Sequence, residues 1–237
     1  MSSLLTSPLF GLSLTLIIYA LAQLAFVRLG AHPILHPVLV SVLLLMAILW
    51  WAKIPYDSYF NGGQYLHFLL GPATVALALP LYRQWARLRT LWLPILMALM
   101  VGSITGALSA IGIARLLGLD LQAQLSLAPK SVTTPIAMGI AEIIGGIPSL
   151  TAAWVVLTGI LGALIGPWFL HRLGFRDESV KGLALGVAAH GIGTARALQL
   201  GSQMGAFAGL AMALAALFTA LVLPWLLGLL GILHPAS

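Results

Sequence analysis

Of 237 residues, 61% are hydrophobic and only 7% are charged, whereas a soluble domain carries about 25% charged residues. So few charges cannot clothe a water-facing surface, which excludes a soluble protein and requires an integral membrane one. The net charge of +6 is spread over loops and reads as membrane topology, not nucleic-acid binding. The chain has no cysteine and only five acids. Disulfides, thiol chemistry and a Cys-based metal site are excluded, and neither a metal nor a cofactor is expected. A span needs about 20 apolar residues, so the length accommodates seven or eight membrane segments in a single domain over 1–237. The apolar runs are too long for transmembrane strands. The expected fold class is all-α.

In chain order, the first segment runs from about Pro8 to Arg28 and is read as a span, not a removable signal peptide, because no basic n-region precedes it. The second runs from about Ile34 to Ala52, with Trp50 and Trp51 suited to the headgroup belt. Lys53 to Tyr65 is expected as the most polar loop, with Asn61, Gly62 and Gly63 forming a turn. The third segment, Leu66 to Tyr82, contains Pro72 and Pro80 and reads as a broken helix. A basic loop with Arg83, Arg87 and Arg89 precedes the fourth, Leu91 to Ala114. The fifth, Leu125 to Gly146, is the most unusual. The sixth runs from Ser149 to Leu170, and a second charged loop, 171–181, precedes the seventh, Gly182 to Leu200. The eighth is Gly205 to Leu230. Four glycine pairs spaced four apart, such as Gly102 and Gly106 or Gly182 and Gly186, read as helix-packing surfaces.

The fifth segment carries Pro129 and Pro135 around Lys130, Ser131, Thr133 and Thr134, with Glu142 beyond. Proline frees backbone groups, and at membrane depth such groups must face protein or a watery cavity. Helix ends, hydroxyls and a cation gathered there suit a small anion. The seventh segment adds His190, Gly191, Gly193, Thr194 and Arg196. His190 and Thr194 share a helix face, the glycines allow an unwound turn, and Arg196 offers a fork that fits a carboxylate. Asn61 and Thr74 are weaker candidates. His190 or Glu142 would carry a proton if transport is proton-coupled. Arg196 could instead pair with Glu142.

Pro72 and Pro129 are 57 positions apart (129 − 72 = 57), and the same offset pairs Gly102 with Gly159 and Arg115 with Arg172. Repeat halves at about 66–117 and 123–174 follow, each a broken segment and then a span. The two basic loops should share the cytoplasmic face. That requires the fifth segment to re-enter as a hairpin or half-helix near 125–146, which would make the repeats inverted. No enzyme pattern survives. GIGTARALQLG lacks the strand context of a dinucleotide fingerprint, and there is no nucleophile elbow, Walker lysine or zinc-protease motif.

The stretches NGGQYLHFLLGPATVALALPLY, LAPKSVTTPIAMGIAEIIGGIPSLTA and AAHGIGTARALQLG resemble the LrgB/CidB family of bacterial membrane proteins, over residues 56 to 225. The resemblance implies two functions. One is an antiholin-like regulator of murein hydrolase activity and lysis, acting with a small LrgA/CidA-type membrane partner. The other is transport, since a plant relative exchanges glycolate and glycerate and some bacterial members are linked to pyruvate uptake. It also implies an elevator-type architecture. The expectation is a secondary transporter of small monocarboxylates in the bacterial inner membrane, as a homodimer, with the LrgA/CidA-like partner, or both. Regulation of lysis is the alternative.

Overall fold

The structure, a computed structural model, describes residues 7–29, 35, 37–76 and 78–232. Every regular element among them is an α-helix. The chain forms two compact units, Met1–Ala76 and Leu77–Ser237.

The first unit contains α1 (Pro8–Arg28), α2 (Pro37–Trp51) and α3 (Tyr56–Ala76). Ser7 caps α1 by accepting from the Leu9 amide. Helices α1 and α3 meet at Gly11, where a Cβ would lie 2.0 Å from the Tyr59 carbonyl oxygen. The Thr15 and Tyr59 hydroxyls bond at 2.8 Å across the same contact. This packing corrects the loop expected over 53–65. Asn61, Gly62 and Gly63 lie inside α3, and Gly62 is buried near Gly11. The glycines provide a close-approach surface, not a turn. Pro72 also does not break its helix, because α3 continues through it to Ala76. A membrane helix tolerates the one lost ladder bond when neighbouring groups take it up.

The second unit contains α4 (Ala78–Arg83), α5 (Trp85–Leu116), α6 (Leu121–Leu127), α7 (Thr134–Ile144), α8 (Pro148–Arg172), α9 (Glu178–Leu200) and α10 (Ser202–Leu229). Arg87 and Arg89 belong to the start of α5, not to a loop. Four described helices are long and apolar enough to cross a membrane: Leu9–Arg28, Trp85–Leu116, Pro148–Arg172 and Ser202–Leu229. Their outward faces carry large apolar side chains such as Leu93, Leu161, Trp168 and Leu221, as hydrocarbon demands.

Two contacts set the arrangement of this unit. Arg87 at the start of α5 forms an ion pair with Asp177, the N-cap of α9. The basic stretches around 83–89 and 171–181 therefore share one end. At the other end the chain makes a hairpin. Helix α6 is about 10 Å long and α7 about 16 Å, both short of a bilayer core of about 30 Å. The chain leaves at Ser126 and returns beside it. The Ile147 amide donates to Ser126 Oγ at 2.7 Å, and Thr151 Oγ1 donates to the Ser126 carbonyl at 2.9 Å. Ser126 and Thr151 are fully buried at this neck. Gly145, with φ of 85°, ends α7 in the left-handed conformation that lets the chain turn there. Ala137, Ile140 and Ile144 of α7 pack with Ile111, Val155 and Leu223, so the inner helix lies between α5, α8 and α10.

Candidate functional site

A cavity of about 680 Å³ lies where α5, the hairpin, α8 and the first half of α9 converge. Its wall includes Gly102 and Gly106 from α5, Thr158 and Gly162 from α8, and Val187 and Ala188 from α9. Lys130 and Ser131 enter it from the break between α6 and α7.

That break follows from its residues. Pro129, fully buried, cannot continue the helical ladder. The chain passes through tight turns instead, with the Lys130 amide donating to Leu127 O and the Val132 amide to Pro129 O, both at 3.2 Å. Pro135 stands in the first turn of α7, where its missing N–H costs nothing. Between the two prolines, Lys130 is half-buried, and its ammonium donates to Ser131 Oγ at 3.3 Å. Among the described residues Lys130 has no carboxylate partner. The ion pair between Arg87 and Asp177 is at the end of the unit.

A second break lies in α9. Ala189 (φ −129°, ψ 15°) and His190 (φ 41°, ψ −131°) leave helical geometry. An L residue with that φ is strained, and it persists only where its surroundings over-determine it. Here Nε2 of His190 lies 2.9 Å from the Val155 carbonyl, and Thr194 Oγ1 donates to the His190 carbonyl at 2.8 Å. The imidazole fills the space left by Gly159, where a Cβ would come within 2.7 Å of it. The unwound turn expected at Gly191 and Gly193 is thus one step earlier. Gly193 instead lets the second half of α9 close on Leu185 O and Ala189 Cβ, since a Cβ at this position would lie 2.6 Å from each.

The two stretches singled out in sequence come together only in part. Lys130 and Ser131 line the cavity; Thr133 and Thr134 start α7 without reaching it. His190 is buried behind the wall on Val155, and Thr194 is buried with its hydroxyl committed to His190. A Cβ on Gly191 would lie 3.8 Å from the Met212 sulfur, so this glycine faces α10. Arg196 is turned away, donating to Gln199 Oε1 at 3.1 Å, and makes no ion pair with the exposed Glu142. Asn61 is on α3 in the other unit, and the Thr74 side chain lies outside the described residues. Sequence reasoning missed Thr158 and the small residues of the wall. Their signal was present in the glycine pairs, read only as packing surfaces, and in Thr158 four positions before Gly162.

The comparisons agree with the motifs quoted above. The LrgB-like family model matches residues 15–229. Protein YxaC of Bacillus subtilis (strain 168), described as uncharacterized, is 40% identical over 198 residues, 82% of this chain and 86% of that protein. YwbG of the same strain, also described as uncharacterized, is 39% identical over 217 residues, 92% of this chain and 96% of its own. Antiholin-like protein LrgB of Bacillus cereus (strain B4264) is 34% identical over 231 residues, 98% of this chain and all of that protein. No solved structure matches. The name antiholin-like accords with the regulatory function expected as the alternative, and none of these names speaks of transport. With its apolar helices and a match across most of its length, this chain belongs to the LrgB-like family and is a multi-pass membrane protein.

Proposed function

We propose that the cavity around Lys130 binds a small monocarboxylate, a 2-hydroxy or 2-oxo acid of two or three carbons, and that the protein is a secondary transporter and not an enzyme. The observation that carries this reading is Lys130, a half-buried cation lining an apolar cavity with a hydroxyl beside it and no carboxylate partner among the described residues. A charge held at membrane depth is costly and rarely idle. A carboxylate would supply the missing counter-charge, and Ser131 and Thr158 could bond its hydroxyl or carbonyl group. Thr133, Thr134 and Arg196 would take part only if the hairpin or α9 moved. Of the two proton carriers, His190 donates through Nε2 to Val155 O and keeps Nδ1 for a proton, while Glu142 is exposed on α7.

The reading extends to architecture. A hairpin dipping from the far end, with the basic ends of α5 and α8 in register at Arg115 and Arg172, supports an inverted repeat and elevator-type movement. The proposal counts α2, α3, the hairpin and α9 as membrane elements beside the four long helices, eight in total. The bacterial inner membrane and a homodimer complete the proposal.

The antiholin-like reading has the more direct support from the relatives' names. It would act with an LrgA/CidA-type membrane partner and needs no unpaired cation in a cavity. Uptake of labelled glycolate or pyruvate by proteoliposomes, with and without such a partner, separates the two. Uptake by the purified chain supports transport; none in either preparation, with normal insertion, favours regulation.

A further inference from the structure

A second groove of about 650 Å³ opens on the outer side of the larger unit, between the start of α5 and α10. Trp85, Leu88, Arg89 and Trp92 recur at helical spacing along one face of α5, and Leu210 and Leu214 form the opposite wall. Both tryptophans are largely exposed, at 54% and 61%. Arg89 is exposed as well. Its neighbour Arg87 is committed to Asp177, whereas Arg89 has no ion pair among the described residues.

We propose that this groove is a binding site for one anionic phospholipid, with its phosphate on Arg89 and an acyl chain between α5 and α10. Three observations favour a lipid over other occupants. Apart from Arg89 the walls are apolar or aromatic side chains, Ile95 and Leu96 among them, on two helices that are themselves long enough to span, as an acyl chain requires. Tryptophans flank the cation, and their amphipathic rings suit headgroup depth. The groove lies at the basic end of the unit, which the charge rule assigns to the cytoplasmic leaflet, where anionic lipids draw cations to the surface. An ordinary interfacial arginine would show charge preference without a groove beneath it. Here the charge and the apolar cleft coincide, so headgroup selectivity and acyl-chain contact should be read out at the same residues. The site is separate from the Lys130 cavity and does not depend on transport.

The test is tryptophan quenching in mixed vesicles of phosphatidylglycerol and phosphatidylcholine, with the acyl chain of first one lipid and then the other brominated. Tryptophans other than Trp92 are replaced by phenylalanine in one variant, and others than Trp225, on the exposed surface of α10, in a second. Trp92 should be quenched with about fivefold preference for the anionic lipid, the effect of one cation near an anionic surface. Trp225 should show no such preference. Arg89→Gln should abolish the preference at Trp92, and Arg89→Lys, which keeps the charge, should retain it. Equal quenching by both lipids, or a preference that survives Arg89→Gln, would overturn the proposal. So would the absence of quenching at Trp92 by either lipid, which would mean that protein from residues 7–76 or from a second copy covers the groove.

Discussion

At the residue scale, His190 and Lys130 are unusual for different reasons. His190 holds a strained backbone conformation for the sake of the break in α9. Its ring bond to Val155 O is the compensation. His190→Ala keeps the strain and loses that bond, at a cost of about 1–3 kcal/mol. His190→Gly loses the bond but relieves strain worth about 1–3 kcal/mol. Thermal unfolding in detergent should therefore place Ala below both the parent and Gly, and an Ala variant more stable than Gly would contradict this account of the break. Asp177 gives a pH prediction. Burial pushes its carboxyl up, but bonds from the Ser179 backbone and the charge of Arg87 outweigh it and hold the group below the usual carboxylate range. Stability from this pair is present above the unfolded carboxylate value of about 3.9 and is lost as pH falls through the lower folded value. Asp177→Asn should be destabilised at neutral pH, with the gap to the parent closing in strong acid. A gap unchanged from pH 7 to pH 2 would exclude a role for the carboxylate charge.

At the element scale, glycines decide how closely helices meet. A Cβ on Gly186 would lie 2.2 Å from the Ala208 carbonyl oxygen, so α9 and α10 would be forced apart. Gly186→Ala should cost about 1–3 kcal/mol or more. Gly112, exposed on α5 with no neighbour within 4 Å, should accept alanine with no loss, because alanine is the better helix former by about 1 kcal/mol. Equal melting of the two variants would mean that the α9 and α10 contact is looser than described. The same physics explains what sequence reasoning read correctly and what it did not. Long apolar runs located α1, α8 and α10 closely, and Pro129 with Pro135 marked the hairpin. Asn61-Gly62-Gly63 looked like a turn because glycine has the same local signature in a turn and in a helix contact. Only the approach of Gly11 from another helix distinguishes them.

At the scale of the larger unit, charge alone put the two basic stretches on one face. The ion pair between Arg87 and Asp177 joins those ends directly. Single cysteines replacing Arg83 and Arg176 in this thiol-free chain should label from the same side in intact cells, and one replacing Leu117 from the other. Opposite labelling of 83 and 176 would exclude the hairpin as a re-entrant element. The site was less legible than the topology. Lys130 and Ser131, singled out by their chemistry, line the cavity, but Arg196 and Thr194 were grouped with them through their proximity to His190 in sequence. The break at Ala189 and His190 turns that second half of α9 away, and a local motif cannot show where a kink redirects the chain.

The measurement that tests the central claim most directly is uptake of labelled glycolate and pyruvate by proteoliposomes containing the parent, Lys130→Met or Arg196→Gln, normalised to inserted protein. Removing one partner of a desolvated charge pair costs about 2–5 kcal/mol, or roughly thirtyfold to several thousandfold in affinity. Lys130→Met should lose uptake on that scale. Arg196→Gln should change it far less, since Arg196 faces Gln199 and not the cavity. If Lys130→Met carries both acids as the parent does, the Lys130 cavity is not the carboxylate site; if the inserted parent carries neither acid, the transport reading falls.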